Sequence, residues 1–96
     1  MKRNIINDAR DVLKKIAYLT LATVDEQSRP WNAPVYCAFN DSYTFYWVSW
    51  VENQHSQNII QNGKVFAVVY DSAVAEGTGF GVYLQGTARV LDKKDL

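Results

Sequence analysis

The chain has 96 residues, enough for one domain with a modest apolar core and too few for two. Ten basic and ten acidic side chains are mixed along it and cancel, so it carries neither the basic stripe of a nucleic-acid binder nor a patch for anionic membranes. One cysteine and one histidine exclude an internal disulfide and make no recognisable metal-ligand set.

The opening residues carry charges where a signal peptide would have its apolar core, and no apolar run is long enough to span a bilayer. A soluble, cytoplasmic protein is expected. Ile5, Ile6, Ala9, Val12, Leu13 and Ile16 recur at helical spacing and predict an amphipathic helix over about residues 5–16. Asn7 or Asp8 is available to cap it, and Asp11 to pair with Lys15 one turn on.

Residues 17–24 turn β-branched, aromatic and aliphatic, the polar run 25–29 gives a turn before Pro30, and residues 31–39 read as the second strand of a hairpin. Pro34 interrupts that strand. Lacking an N–H, it argues for an edge or a bulge and for backbone groups left free for a ligand. Cys37 in the same strand reads as a buried thiol.

After a turn at residues 40–42, residues 43–49 alternate as a strand, and a loop through Glu52 and Asn53 leads into a short helix. His55 and Asn58, three apart, share one face of that helix. With Ser49 and the open amides of a helix N-terminus they form a candidate anion seat. The competing reading makes Asn53 a plain cap and leaves His55 and Asn58 as solvated residues on an exposed face.

Asn62 and Gly63 read as a left-handed helix stop. Residues 64–70 form a nearly continuous apolar strand, which implies that both its faces are covered and that it lies near the centre. The glycines of GTGFG, residues 77–81, are followed by a strand and by no Lys-Ser or Lys-Thr pair, so they read as a turn or bulge rather than a phosphate loop. Residues 82–91 read as the last strand, and Asp92 as the cap of a helix that is not completed. His55 is the sole imidazole and no serine sits in a nucleophile elbow, so a hydrolytic triad is excluded and any chemistry falls to a bound cofactor.

Taken in order, LTLATVDEQSRPWNAPVY, FYWVS, HSQNIIQNGKVFAVVYD and GVYLQGTARVL resemble the pyridoxamine 5′-phosphate oxidase-like family of FMN-binding split barrels. The resemblance covers nearly the whole chain and implies a mainly β fold. One antiparallel split-barrel domain would span residues 1–96, with a helix over about 5–16, strands and a short helix over about 17–91, and truncation at the C-terminal end. It also implies a homodimer with FMN held in clefts between the subunits. Residue by residue, backbone from Asn32, Ala33, Pro34, Val35 and Tyr36 would line the flavin ring, and Ser49 would meet the phosphate. Gln54 and His55 stand where many members place a basic pair on the phosphate, with Asn58 one turn on. Here the chain departs from the pattern, exchanging a permanent cation for a titratable imidazole. Tyr36, Trp47 and Trp50 are candidate aromatic walls, with the core or a subunit interface as their competing use.

The expectation is therefore a flavin-dependent oxidoreductase that works on a small-molecule substrate or electron donor. The alternatives are a carrier of flavin, deazaflavin or haem without turnover, a barrel that dimerises without a ligand, and a structural interaction domain.

Overall fold

The computed structural model describes residues 4–92. In chain order these form α1 (Ile5–Lys15), β1 (Tyr18–Val24), β2 (Pro30–Phe39), β3 (Phe45–Trp47), α2 (Gln54–Gln61), β4 (Lys64–Tyr70) and β5 (Gly81–Thr87). The strands make one antiparallel sheet, ordered β3-β2-β1-β4-β5, curled into a half-barrel. No helix among the described residues is long and apolar enough to cross a membrane.

Helix α1 starts where its apolar spacing places it, but a different residue caps it. Asn4, not Asn7 or Asp8, is the cap, and its side-chain oxygen accepts the Asn7 N–H at 3.1 Å. Lys15 at the other end pairs with Asp71 at 2.8 Å rather than with Asp11, so the helix is tied to the segment after β4. The Lys15 side chain and the Ala73 amide, both bonded to Asp71, hold its carboxyl below the ordinary range. Asn4→Ala should lower stability by about 1 kcal/mol in thermal denaturation, because one open helix amide loses its acceptor.

The β1–β2 hairpin keeps one register from Tyr18↔Tyr36 to Val24↔Pro30 without a bulge. Cys37 N–H donates to Ala17 O at 2.8 Å and Asp25 N–H to Arg29 O at 3.0 Å, bracketing that ladder. Antiparallel pairing alternates, so the odd residues of β2 exchange backbone bonds with β1 and the even ones turn theirs away. Pro34 is even. Its missing N–H thus removes nothing from the ladder, which is the edge solution to an interrupted strand. Strand β3 joins β2 only at Cys37, Ala38 and Phe39, so the outward backbone of Asn32, Pro34 and Tyr36 has no ladder partner among the described strands.

Alternation also sorts the side chains. Leu19, Leu21, Val35, Ala67 and Val69 point to the inner face and make the core with Leu13 of α1 and Ile59 of α2. Cys37 is half-buried beside them, and removal from water pushes its thiol pKa up. Strand β4 is paired on both sides, between β1 and β5, while β1 is the middle strand. Only one of its faces is covered: Phe66 and Tyr70 remain about half exposed on the outside, contrary to the two-sided cover its apolar run implies.

Other boundaries differ from expectation for local reasons. Asn40 accepts the Ser42 and Thr44 amides on its side chain at 3.0 Å each, and Tyr43 has φ 59°, so the turn extends to residue 44 and shortens β3. Gly63 is not a left-handed stop. A Cβ there would lie 2.6 Å from Ala88 O, and Gly63 O accepts the Ala88 N–H at 2.7 Å, so the close approach of two backbones requires glycine. Strand β5 ends at Thr87, short of Leu91, and a helix following Asp92 lies outside the described residues. Gly77, φ 80°, sits in a turn closed by Thr78 N–H to Ala75 O at 3.0 Å, as a structural turn in GTGFG requires.

Candidate functional site

Where β3 leaves the sheet, residues 48–53 cross to the start of α2. Two hydrogen bonds fasten this loop to the helix and a third closes a turn within it. His55 Nε2 lies 2.9 Å from Ser49 Oγ, Asn53 N–H donates to Trp50 O at 3.1 Å, and the Gln57 side chain donates to Val51 O at 2.6 Å. The loop is held against the first turn of α2 by these contacts.

Helix α2 packs one face against β1 and β2. His55, Ser56, Asn58 and Ile59 are buried on that face, which overturns the reading of His55 and Asn58 as solvated residues. Asn58 is 2% exposed and bonded at both ends of its amide: Nδ2 donates to Thr23 Oγ1 at 2.9 Å, and Oδ1 accepts from Gln54 Nε2 at 2.7 Å. Thr23 is itself buried, so this pair satisfies two interior polar groups and fixes the helix on β1. Among the described residues no buried side-chain nitrogen or oxygen lacks a partner. The alternation Leu19, Leu21, Thr23 was the available signal for Thr23, since it places a hydroxyl on the inner face.

The first turn of α2 is open. Asn53 occupies the cap position with extended backbone, yet its side chain makes no capping bond. The first intrahelical backbone bond runs from Gln57 N–H to Asn53 O at 3.0 Å, so the amides of Gln54, His55 and Ser56 stand ahead of it. No acidic residue lies in that turn. His55 is 7% exposed, and removal from water lowers its pKa below the ordinary imidazole value, which favours the neutral ring.

Ser49 with His55, and Gln54 with Asn58, are therefore two hydrogen-bonded pairs that meet in the chain at residues 54 and 55, on the first turn of α2. Asn32, Ala33, Pro34, Val35 and Tyr36 belong to neither pair. They run along β2 upstream of the point where β3 departs, with Val35 in the core and the backbone of Asn32, Pro34 and Tyr36 turned to the open edge. Trp47 packs against the core, whereas Tyr36 and Trp50 are largely exposed. A groove of about 1020 Å³ opens along the inner face between β3 and β5, with Trp47, Ser49, Ser56, Ile59 and Leu84 among its walls. Among the described residues no group of three or more His, Cys, Asp or Glu side chains is placed to hold a metal ion.

A curled antiparallel sheet, open on one side and carrying a short helix on its inner face, defines a split barrel. The chain matches the family model described as pyridoxamine 5′-phosphate oxidase over residues 5–96 and belongs to that family. No curated protein matches it. Solved structures with the same fold include the protein Atu2129, of unknown function, from Agrobacterium tumefaciens, with TM-score 0.83 and 17% identity over all of this chain and 43% of that one. HutZ, a haem storage protein from Vibrio cholerae, aligns with TM-score 0.83 and 18% identity over 95% of this chain and 66% of that one. A haem binding protein from Mycobacterium smegmatis aligns with TM-score 0.80 and 17% identity over 99% of this chain and 40% of that one. The chain thus spans less than two thirds of each of these proteins, and the likeness is one of fold.

Proposed function

We propose that the chain binds FMN and serves a flavin-dependent oxidoreductase reaction. The observation that carries this reading is the uncapped first turn of α2, which has no acidic residue of its own and where the His55 imidazole meets Ser49 Oγ beside the leading amides, Glu52 standing in the loop before the cap. A phosphate monoester supplies the acceptor oxygens such a group of donors lacks. The phosphate would be held by Ser49, His55 and those amides. Gln54, oriented by Asn58, borders it, and Asn58 acts through that contact and through Thr23.

The isoalloxazine ring would follow the open edge of β2, where backbone of Asn32, Pro34 and Tyr36 has hydrogen-bonding capacity to spare. From Asn32 to Tyr36 that edge runs about 14 Å at strand rise, long enough for a ring and its linker. When bound, the flavin supplies hydride or electron transfer, while the protein supplies position, hydrogen bonds to the ring and exclusion of water. No side chain here is assigned as an acid or base.

A second reading, haem binding, is favoured by the likeness to HutZ, a haem storage protein, and to the mycobacterial haem binding protein. The donor set fits it less well. The single histidine is buried and bonded to Ser49 through Nε2, and the single cysteine is half-buried on the inner face. Axial ligation from the described residues would have to open the His55–Ser49 contact or use an exposed tyrosine.

The deciding measurement is an absorbance spectrum of the protein as purified and after mixing with FMN or with haemin and removing unbound ligand. Retention of a flavin band, lost on Ser49→Ala, is the expected result. Retention of haem alone, insensitive to Ser49→Ala, would overturn the flavin reading. Reduction by NADH or NADPH in the presence of an electron acceptor then separates an enzyme from a carrier.

A further inference from the structure

His55 and Ser49 share one hydrogen bond, and its direction decides what Ser49 can offer a ligand. Nε2 lies 2.9 Å from Ser49 Oγ, in the only side-chain hydrogen bond that the imidazole makes among the described residues. With no such partner at Nδ1 to fix the ring proton, a neutral histidine satisfies the contact in two ways. In one, Ser49 donates its O–H to a bare Nε2. In the other, Nε2–H donates to Ser49 Oγ and the hydroxyl proton is free to point elsewhere.

The two side chains are also layered. His55 is 7% exposed, whereas Ser49 is half-buried and forms part of the wall of the inner groove, to which His55 does not contribute. Ser49 is thus the member of the pair that meets open space, and the imidazole stands behind it.

A bound phosphate discriminates between the two arrangements. Above its second pKa, near 6, a phosphate monoester has acceptor oxygens only, so every group that faces it has to donate. Serine has one proton to give. Donated to Nε2, it leaves the Ser49 lone pairs against the anion; donated to the anion, it obliges Ser49 to accept from His55. No fixed cation on the helix takes over the task, since QHSQNIIQ contains neither lysine nor arginine.

On the reading that the FMN phosphate sits at the first turn of α2, we propose that His55 is a positioning residue, whose Nε2–H donates to Ser49 Oγ and so holds the Ser49 O–H on the phosphate. The imidazole then contributes to binding while neutral, through its tautomer, apart from any charge it gains at lower pH. Ser49 and His55 act as one unit, so removal of either one abolishes the same interaction. Gln54 and Asn58 bond to one another and stand outside this relay.

The test uses the full chain with isotope-labelled histidine, in which the sole imidazole gives a single pair of ring nitrogens. At about pH 8 the ring is neutral, because removal from water lowers its pKa from the ordinary value. Long-range proton–nitrogen correlation spectra of the FMN complex should then place the ring proton on Nε2. At the same pH, Ser49→Ala and His55→Ala should each weaken FMN binding by roughly tenfold or more. His55→Gln should stay within about threefold of wild type, because its amide nitrogen stands near the place of Nε2 and donates in its stead. Adding His55→Ala to Ser49→Ala should cost no further affinity.

A ring proton on Nδ1 in the complex, or losses that add, would overturn the relay and leave FMN binding in place. A chain that retains no FMN sinks the flavin reading instead, and the wild-type spectrum is then followed as inorganic phosphate is added. A shift of the ring signals to the Nε2–H pattern supports the relay, and any other result of that titration overturns it.

Discussion

Asn58→Ala should destabilise the chain by about 2–4 kcal/mol, read as a lower urea midpoint. The amide is almost completely buried and uses both ends, donating to Thr23 Oγ1 and accepting from Gln54 Nε2. Truncation removes two hydrogen bonds, leaves a small void under α2 and strands the Thr23 hydroxyl, buried at 2% exposure, without its donor. Thr23→Val keeps the volume and removes the hydroxyl, so it strands the Asn58 N–H instead. Because each single variant leaves an unsatisfied partner, the double variant should lose less than the sum, with a coupling of about 1 kcal/mol or more. Additive losses would mean that Asn58 and Thr23 do not act on one another. A loss below about 0.5 kcal/mol for Asn58→Ala would place it among ordinary surface substitutions and remove its role in fixing the helix.

Much of the fold is legible in the sequence because its inner faces obey simple periods. Leu19 and Leu21 alternate against Val35 across the first hairpin, and the spacing of Val12, Leu13 and Ile16 reveals α1. What periodicity misses is where the ladders stop. Strand β3 is cut short because Asn40 takes two amides onto its own side chain, a local competition invisible to a count of apolar residues. The glycine at position 63 is legible as a requirement, but its reason is the Ala88 carbonyl, a contact between segments far apart in the chain.

The site divides in the same way. The relation of Ser49 to His55 follows from a strand end, a loop and a helix start, all local, and the structure brings the two within 2.9 Å. The burial of His55 and Asn58 does not follow, since a short polar helix looks alike whichever face it presents. Only the packing of α2 on β1 decides that these polar residues face inward and need Thr23 and Ser49 as partners. The apolar run of β4 implied cover on both faces, but the helices pack only on the inner one, so Phe66 and Tyr70 stay about half exposed.

Wild-type affinity for FMN should rise relative to that of His55→Gln as pH falls from about 8 to 5.5, reaching roughly tenfold for each unit by which the bound anion raises the imidazole pKa. In the free chain, removal from water holds that pKa below 6.5. An anion on Ser49 and the α2 amides opposes the shift, because the protonated ring gains an opposite charge at contact distance. Binding therefore takes up a proton, and linkage requires tighter binding at lower pH until the free imidazole is itself protonated. The phosphate monoester titrates near pH 6 on its own, so the informative quantity is the ratio of wild type to variant at each pH. Stability without ligand runs the other way. The unfolded chain binds the proton more readily than the folded one, so stability is fully present above the ordinary imidazole pKa of about 6.5 and is lost as pH falls from there through the lower folded-state pKa, an effect His55→Gln should abolish. A ratio that stays flat across this range would leave His55 a structural partner of Ser49 with no charge to offer the ligand.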